Sequence, residues 1–190
     1  MEDFKPRGPF QLKKTWKKLN QKIVHKNPWF NIRQDFVVKP NNSKSDYFVL
    51  EIPQAVFAVA LTYKQEVYLV LQYRYPTDRF SWEVPGGRSD DMDPLEAAKK
   101  ELQEETGLIA DTWQKVGDFQ TMKGIANEIS NVFLARGLIE TEEHTQKEEG
   151  ILEVKKVPFK KSLEMIKSGE ITDGQTIAAL TQVGLYLKLL

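Results

Sequence analysis

Residues 85–107 read Pro85-Gly86-Gly87-Arg88-Ser89-Asp90-Asp91-Met92-Asp93-Pro94-Leu95-Glu96-Ala97-Ala98-Lys99-Lys100-Glu101-Leu102-Gln103-Glu104-Glu105-Thr106-Gly107. The second part of this stretch predicts a helix over Asp93–Thr106. Asp93 can cap it, Pro94 suits the first helical position because its missing N–H would be unpaired there anyway, and Glu96 can close a capping box. Leu95, Ala98 and Leu102 form one apolar stripe. Gly107 ends the helix. Its last turn runs against stability. Glu101, Glu104 and Glu105 crowd the end where the helix dipole is negative, and each carboxylate there costs about 0.3–1 kcal/mol. The like-charged pair Glu101/Glu105, one turn apart, adds about 0.2–0.5 kcal/mol.

A solvated acidic helix end is the ordinary explanation for such a run. Three features favour another. The carboxylates share one side at i, i+3 and i+4. Pro85-Gly86-Gly87 precedes the helix, a turn that lets backbone approach a ligand closely. A second acidic cluster, Glu142, Glu143, Glu148 and Glu149, stands in a later loop. Hard oxygen donors without His or Cys suit Mg²⁺ or Mn²⁺, and such ions point to phosphate chemistry in a small-molecule substrate.

Composition narrows the field around this helix. The chain has 190 residues, 41% hydrophobic and 28% charged, enough to bury a core. The 27 Lys and Arg balance 27 Asp and Glu, which argues against binding polymeric nucleic acid by a basic surplus. No cysteine occurs, excluding disulfides, thiolate nucleophiles and Cys-based metal sites; His25 and His144 are the only histidines, too few for a multi-His centre. The longest apolar run, Ala55–Leu61, falls far short of the roughly 20 residues of a membrane span. The charged start, interrupted by Pro6 and Pro9, is no signal peptide. No membrane partner and a cytoplasmic location are expected.

The organisation splits into an N-terminal β-rich arm over residues 1–52 and a main domain over 53–190. The arm predicts two or three strands, with a turn at Pro40-Asn41-Asn42-Ser43, while Lys13–Lys22 reads as a solvated helix face. The main domain predicts strands at Ala55–Leu61, Val67–Gln72, Ser81–Val84, Val116–Thr121, Ser130–Leu138 and Leu152–Val157. Val132, Leu134 and Leu138 are placed on one face. A loop is expected at Pro76–Arg79, an acidic loop at Thr141–Gly150, and helices at Lys161–Lys167 and Thr172–Leu190. Strands mixed with a few helices, without strict alternation, give an α+β class, a mixed α/β/α sandwich with an N-terminal β arm.

The stretch from Gly86-Gly87 to Lys100-Glu101-Leu102-Gln103-Glu104-Glu105-Thr106-Gly107-Leu108 resembles the Nudix box. Two positions depart from it: the first motif Glu falls on Met92, and the motif Arg is Lys100, which keeps the charge but loses the planar fork. Gln72-Tyr73-Arg74-Tyr75-Pro76, Ser81-Trp82-Glu83-Val84 and Asn27-Pro28-Trp29-Phe30 are similar to the ADP-ribose pyrophosphatase branch. That branch's Ser-Pro-Gly after the box reads Met122-Lys123-Gly124 here, which widens the expected substrate to the nucleoside-diphosphate-sugar class.

The resemblance implies a Mg²⁺- or Mn²⁺-dependent hydrolase of a nucleoside diphosphate sugar such as ADP-ribose. It implies metal binding by Glu101, Glu105 and the Gly86 carbonyl, with Glu104 as ligand or water-positioning group. It also implies a general base in the acidic loop, Glu148 or Glu149. Arg74 is expected to hold the diphosphate or to pair with Glu83, and Arg79 is a further phosphate candidate. Trp29 and Phe30 are expected to stack on a base or to pack in a homodimer. Met92, Lys100 and Lys123 motivate two alternatives: a weakly active or inactive nucleotide-sensing domain, or a Nudix hydrolase of another nucleotide derivative.

Overall fold

A computed structural model describes residues 15–190, arranged as two compact units. One comprises the described residues up to Ile52 together with Met122–Glu128; the other comprises Pro53–Thr121 and Ile129–Leu190.

The first unit is an antiparallel meander of β1 (Lys17–Lys26), β2 (Asn31–Val38) and β3 (Lys44–Glu51). Lys13 and Lys14 lie outside the described residues. From Lys17 onward the expected helix is instead a strand, running from Lys17 opposite Val38 to Lys26 opposite Asn31. Helix propensity is a weak prior, and pairing with the β-type residues of β2 overrides it. Asn27 makes the turn, its Oδ1 accepting from Trp29 N and Phe30 N at 2.8 and 2.9 Å. Asn42, at φ 64°, makes the next turn, and its N–H donates to Lys39 O at 2.9 Å. Buried Asp35 is held by Arg33, whose Nε and Nη2 donate to its two oxygens at 2.7 and 2.9 Å; Arg33 also pairs with Glu51. Met122–Glu128 joins β3 through Leu50 N to Ile125 O at 2.7 Å and Ile52 N to Asn127 Oδ1 at 3.1 Å.

In the second unit the chain runs β4 (Ala55–Ala60), β5 (Glu66–Arg74), β6 (Arg79–Glu83), β7 (Gly86–Arg88), α1 (Pro94–Thr106), β8 (Leu108–Phe119), β9 (Ser130–Glu140), β10 (Ile151–Pro158), α2 (Phe159–Ser168) and α3 (Gly174–Tyr186). A sheet of order β7-β4-β9-β8 faces a second of order β10-β5-β6. β4 and β9 are parallel, and a central parallel pair covered on both faces reads as an unbroken apolar run. The period of two divides that run. Val56, Ala58 and Ala60 pack with Ala97, Ala98 and Leu102 of α1, whereas Ala55, Phe57 and Val59 join Leu69, Phe159, Leu180 and Val183 in the main core. The result is the expected mixed sandwich.

Several boundaries differ from the sequence reading. β8 begins at Leu108 rather than Val116, because it pairs along β9 from Leu108 opposite Glu140 onward. The loop after β5 contains a short 3₁₀ turn, Tyr75–Thr77. The last helix runs Gly174–Tyr186, with Asp173 Oδ2 accepting from Thr176 N at 2.6 Å. Leu138 does not share a face with Val132 and Leu134. Gly137 sits at φ 67°, which breaks the alternation, and Leu138 packs on the α1 side. Among the described residues, no helix is long and apolar enough to cross a membrane.

Candidate active site

Asp93 caps α1, its Oδ1 accepting from Leu95 N at 2.9 Å and Glu96 N at 3.4 Å. Burial of Ala97, Ala98 and Leu102 fixes the helix rotation. That rotation turns Glu101 and Glu105 toward β7, the short strand that carries Gly86 and Gly87 and pairs with β4. The two glycines are needed for the approach. A Cβ on Gly87 would lie 2.5 Å from Glu101 Oε1, and one on Gly86 would lie 2.4 Å from Val56 O. Gly86 N donates to Glu105 Oε2 at 3.0 Å.

Glu105 is 3% exposed. Burial pushes its carboxyl up to about 8; the charges of Glu101 and Glu149 add to the rise, and the Gly86 N–H and Arg74 work against it. Burial likewise lifts Glu101 to about 7, reinforced by Glu104, Glu149 and Asp90 and opposed by Lys100. Two carboxyls that resist ionising in each other's company form a site short of positive charge. That chemistry fits a hard divalent cation, which Mg²⁺ satisfies with one or two carboxylates plus waters and substrate phosphates. Among the described residues, no three His, Asp or Glu side chains gather closely enough to hold an ion by themselves. Glu101 and Glu105, beside the Gly86 main chain, are the groups on which that fit rests.

Glu104 bears on Glu101 by its charge and also has a partner of its own. Its Oε2 pairs with Lys100 Nζ at 3.1 Å, so Lys100 grips Glu104. The main chain of Glu104 has a second task, since its carbonyl accepts from Thr145 N at 2.9 Å while Gly107 O accepts from Thr141 N at 2.7 Å. The acidic loop 141–150 thus pairs carbonyls that the end of α1 leaves open. Gln103 Nε2 donates to Glu143 Oε2 at 3.0 Å, and Glu149 N closes onto Thr145 O at 2.9 Å. Glu149 is the loop glutamate whose charge acts on both Glu101 and Glu105. Glu148 and Glu149 are both exposed.

Arg74 makes the structural pair that the sequence allowed. Its Nε donates to Glu83 Oε1 and Oε2 at 3.1 and 3.2 Å, and its Nη2 to Oε2 at 2.6 Å. Glu83 is buried, and Arg74 remains close enough to act on Glu105. Arg79 is exposed at the start of β6, opposite Arg74 in the register. Trp29, 63% exposed, and half-buried Phe30 lie in the β1–β2 turn of the first unit. Met92 is 44% exposed just before the cap, and Lys123 lies in the segment that joins β3.

Sequence reasoning passed over Gln72. This buried side chain donates through Nε2 to Glu105 Oε1 at 3.5 Å and to the main-chain O of Glu149 at 3.2 Å. Its own Oε1 is buried and has no hydrogen-bond partner, which costs about 1–3 kcal/mol. A polar residue inside an apolar strand run was the available signal. Asp90, which raises Glu101 through its charge, gave no comparable one.

Comparison with known proteins accords with this geometry. The family model described as NUDIX domain matches residues 52–180, and the one described as nucleoside diphosphate sugar hydrolase N-terminal domain matches residues 16–50. An ADP-ribose pyrophosphatase of Bacillus subtilis is 32% identical over 180 residues, covering 91% of this chain and 95% of that protein. A GDP-mannose pyrophosphatase of Yersinia enterocolitica is 29% identical over 175 residues, covering 85% of this chain and 91% of that protein. A crystal structure titled as an ADP compounds hydrolase shares the fold, with a TM-score of 0.79 at 19% identity over 91% of this chain and 94% of that one.

Proposed function

From the premise that this chain belongs to the NUDIX domain family, we propose that it hydrolyses the diphosphate bond of a nucleoside diphosphate sugar such as ADP-ribose, releasing a nucleoside monophosphate and a sugar phosphate. It is a hydrolase of phosphorus anhydrides. The observation that carries the reading is the pair of buried Glu105 and half-buried Glu101 set against Gly86 and Gly87, with the charge of Glu149 bearing on both. The relatives named for ADP-ribose and GDP-mannose support the class.

Glu101, Glu105 and the Gly86 carbonyl would hold the cation, which we take to be Mg²⁺, with Mn²⁺ as its substitute. When bound it would neutralise diphosphate charge and acidify water. Every other role falls to the chain. Glu149, rather than Glu148, takes a proton from the attacking water onto its carboxylate; a positioned base contributes about 10²–10⁴-fold. Support for this choice is its electrostatic reach and its place in the loop fastened to α1. Glu83 fixes the plane of Arg74, so the guanidinium presents its remaining N–H groups to phosphate oxygens in one orientation. Arg79 assists from the next strand. Glu104 positions water while Lys100 holds it. Trp29 and Phe30 stack on the base as part of a homodimer of cytoplasmic chains.

Incubating the protein with ADP-ribose and GDP-mannose in Mg²⁺ tests this. The expected result is release of AMP or GMP with the matching sugar phosphate, reduced at least about 10²-fold in Glu105→Gln. No turnover of any nucleoside diphosphate sugar, with Glu105→Gln indistinguishable from wild type, overturns it. One observation favours a second reading, a nucleotide-binding domain of weak activity: Lys100 occupies Glu104 at 3.1 Å. Calorimetric binding of ADP-ribose without metal-dependent cleavage would establish that reading instead.

A further inference from the structure

Gln72 is buried where the pattern of β5 asks for an apolar side chain. Strand alternation directs Tyr68 and Gln72 to the α1 side, while Val67 and Leu69 enter the main core. Gln72 is 7% exposed, and its Cα partner on β10 is Ile151, the first residue after the acidic loop. The amide nitrogen donates to two acceptors on different elements: Glu105 Oε1 on α1, at 3.5 Å, and the main-chain O of Glu149, at 3.2 Å. The reverse orientation would set Oε1 against the Glu149 carbonyl, which has no hydrogen to give. Hence the amide has one workable orientation, and it leaves Oε1 buried and unpaired. Packing alone returns nothing for that loss, and a methionine would fill the same space without it.

We propose that Gln72 is a positioning residue of the hydrolytic site: its amide ties the main chain at Glu149 to the carboxylate of Glu105, so that the base-bearing loop stands at one fixed place relative to the helix. The inference rests on the function proposed above and adds to it a third element, β5, which sets the spacing of the other two. Gln72 acts through Glu149 and Glu105.

Two measurements on Gln72→Met test this, one of them independent of turnover. Hydrogen exchange in the metal-free protein should quicken at the amides of Glu149, Gly150 and Ile151 by about tenfold or more, with the amides of β4 unchanged. In Mg²⁺ and ADP-ribose, kcat should fall about 10²-fold, as for a misplaced catalytic group, while KM and Mn²⁺ affinity stay within about threefold. Gln72→Leu, which likewise has no donor and brings no new titratable group, should free the loop in the same way and decides the matter if the methionine variant does not fold. Unchanged loop exchange overturns the tether, and faster exchange with unchanged kcat overturns the positioning role. A wild type inactive on every nucleoside diphosphate sugar overturns the proposed function and the positioning role with it, while the exchange comparison still decides whether the tether exists.

Discussion

Glu105 and Glu101 are poor residues for stability and good ones for holding a cation. Their carboxyls stand at about 8 and about 7 in the folded chain, against 4.5 for an ordinary glutamate. Between pH 4.5 and about 8, then, the folded state holds protons that the unfolded state has released. What these two groups contribute to the stability of the metal-free protein is greatest at the acid end of that window and falls as pH rises through it. A divalent cation bound there would replace those protons and would bind more tightly as pH rises. The melting temperature in a chelator should therefore drop from about pH 5 to about pH 8, and Mg²⁺ should restore more of it at the upper end. Glu105→Gln should flatten the slope and melt higher than wild type at the upper end without metal. A wild-type melting temperature that climbed with pH in chelator would contradict the account.

The contact between β7 and α1 makes two neighbouring glycines do different work. A methyl group on Gly87 meets the carboxylate end of Glu101 at 2.5 Å, which can swing away; one on Gly86 meets the main-chain O of Val56 at 2.4 Å, which cannot. Gly87→Ala should thus fold normally yet lose divalent-metal affinity about 10–100-fold, as when a ligand's support is disturbed. Gly86→Ala should lose about 1–3 kcal/mol of stability through overpacking. Calorimetric titration with Mn²⁺ and denaturant unfolding separate the two. Helix α1 was legible because Asp93, the Leu95–Ala98–Leu102 stripe and Gly107 act within a few residues of one another. The edges of β8 and the face of Leu138 were not, because long-range pairing with β9 and the positive φ of Gly137 set them.

For the whole molecule, the arm carries the clearest expectation about assembly. All ten residues of β1 are exposed, and Leu19, Ile23 and Val24 are each between 45% and 49% open to solvent on an edge strand. Apolar side chains on an open edge invite pairing, and the proposed second copy of this chain would cover them. Sedimentation should give twice 21.9 kDa, and the double variant Leu19→Lys, Ile23→Lys should sediment as a single chain. A wild type that is monomeric at micromolar concentration refutes the homodimer.

The sequence by itself determined the class of fold, the helix, the glycine pair and the glutamates beside it, since caps, periodicity and i, i+3, i+4 spacing are local geometry. It left open whether Arg74 pairs with Glu83. Only the tertiary structure decided which side chains meet. It turned Arg74 onto Glu83 and Lys100 onto Glu104, brought the charge of Glu149 to bear on Glu105, made Lys17–Lys26 a strand, and carried Gln72 between helix and loop. The reason is physical: these outcomes depend on strand register and loop closure between residues tens of positions apart, and no local propensity encodes them.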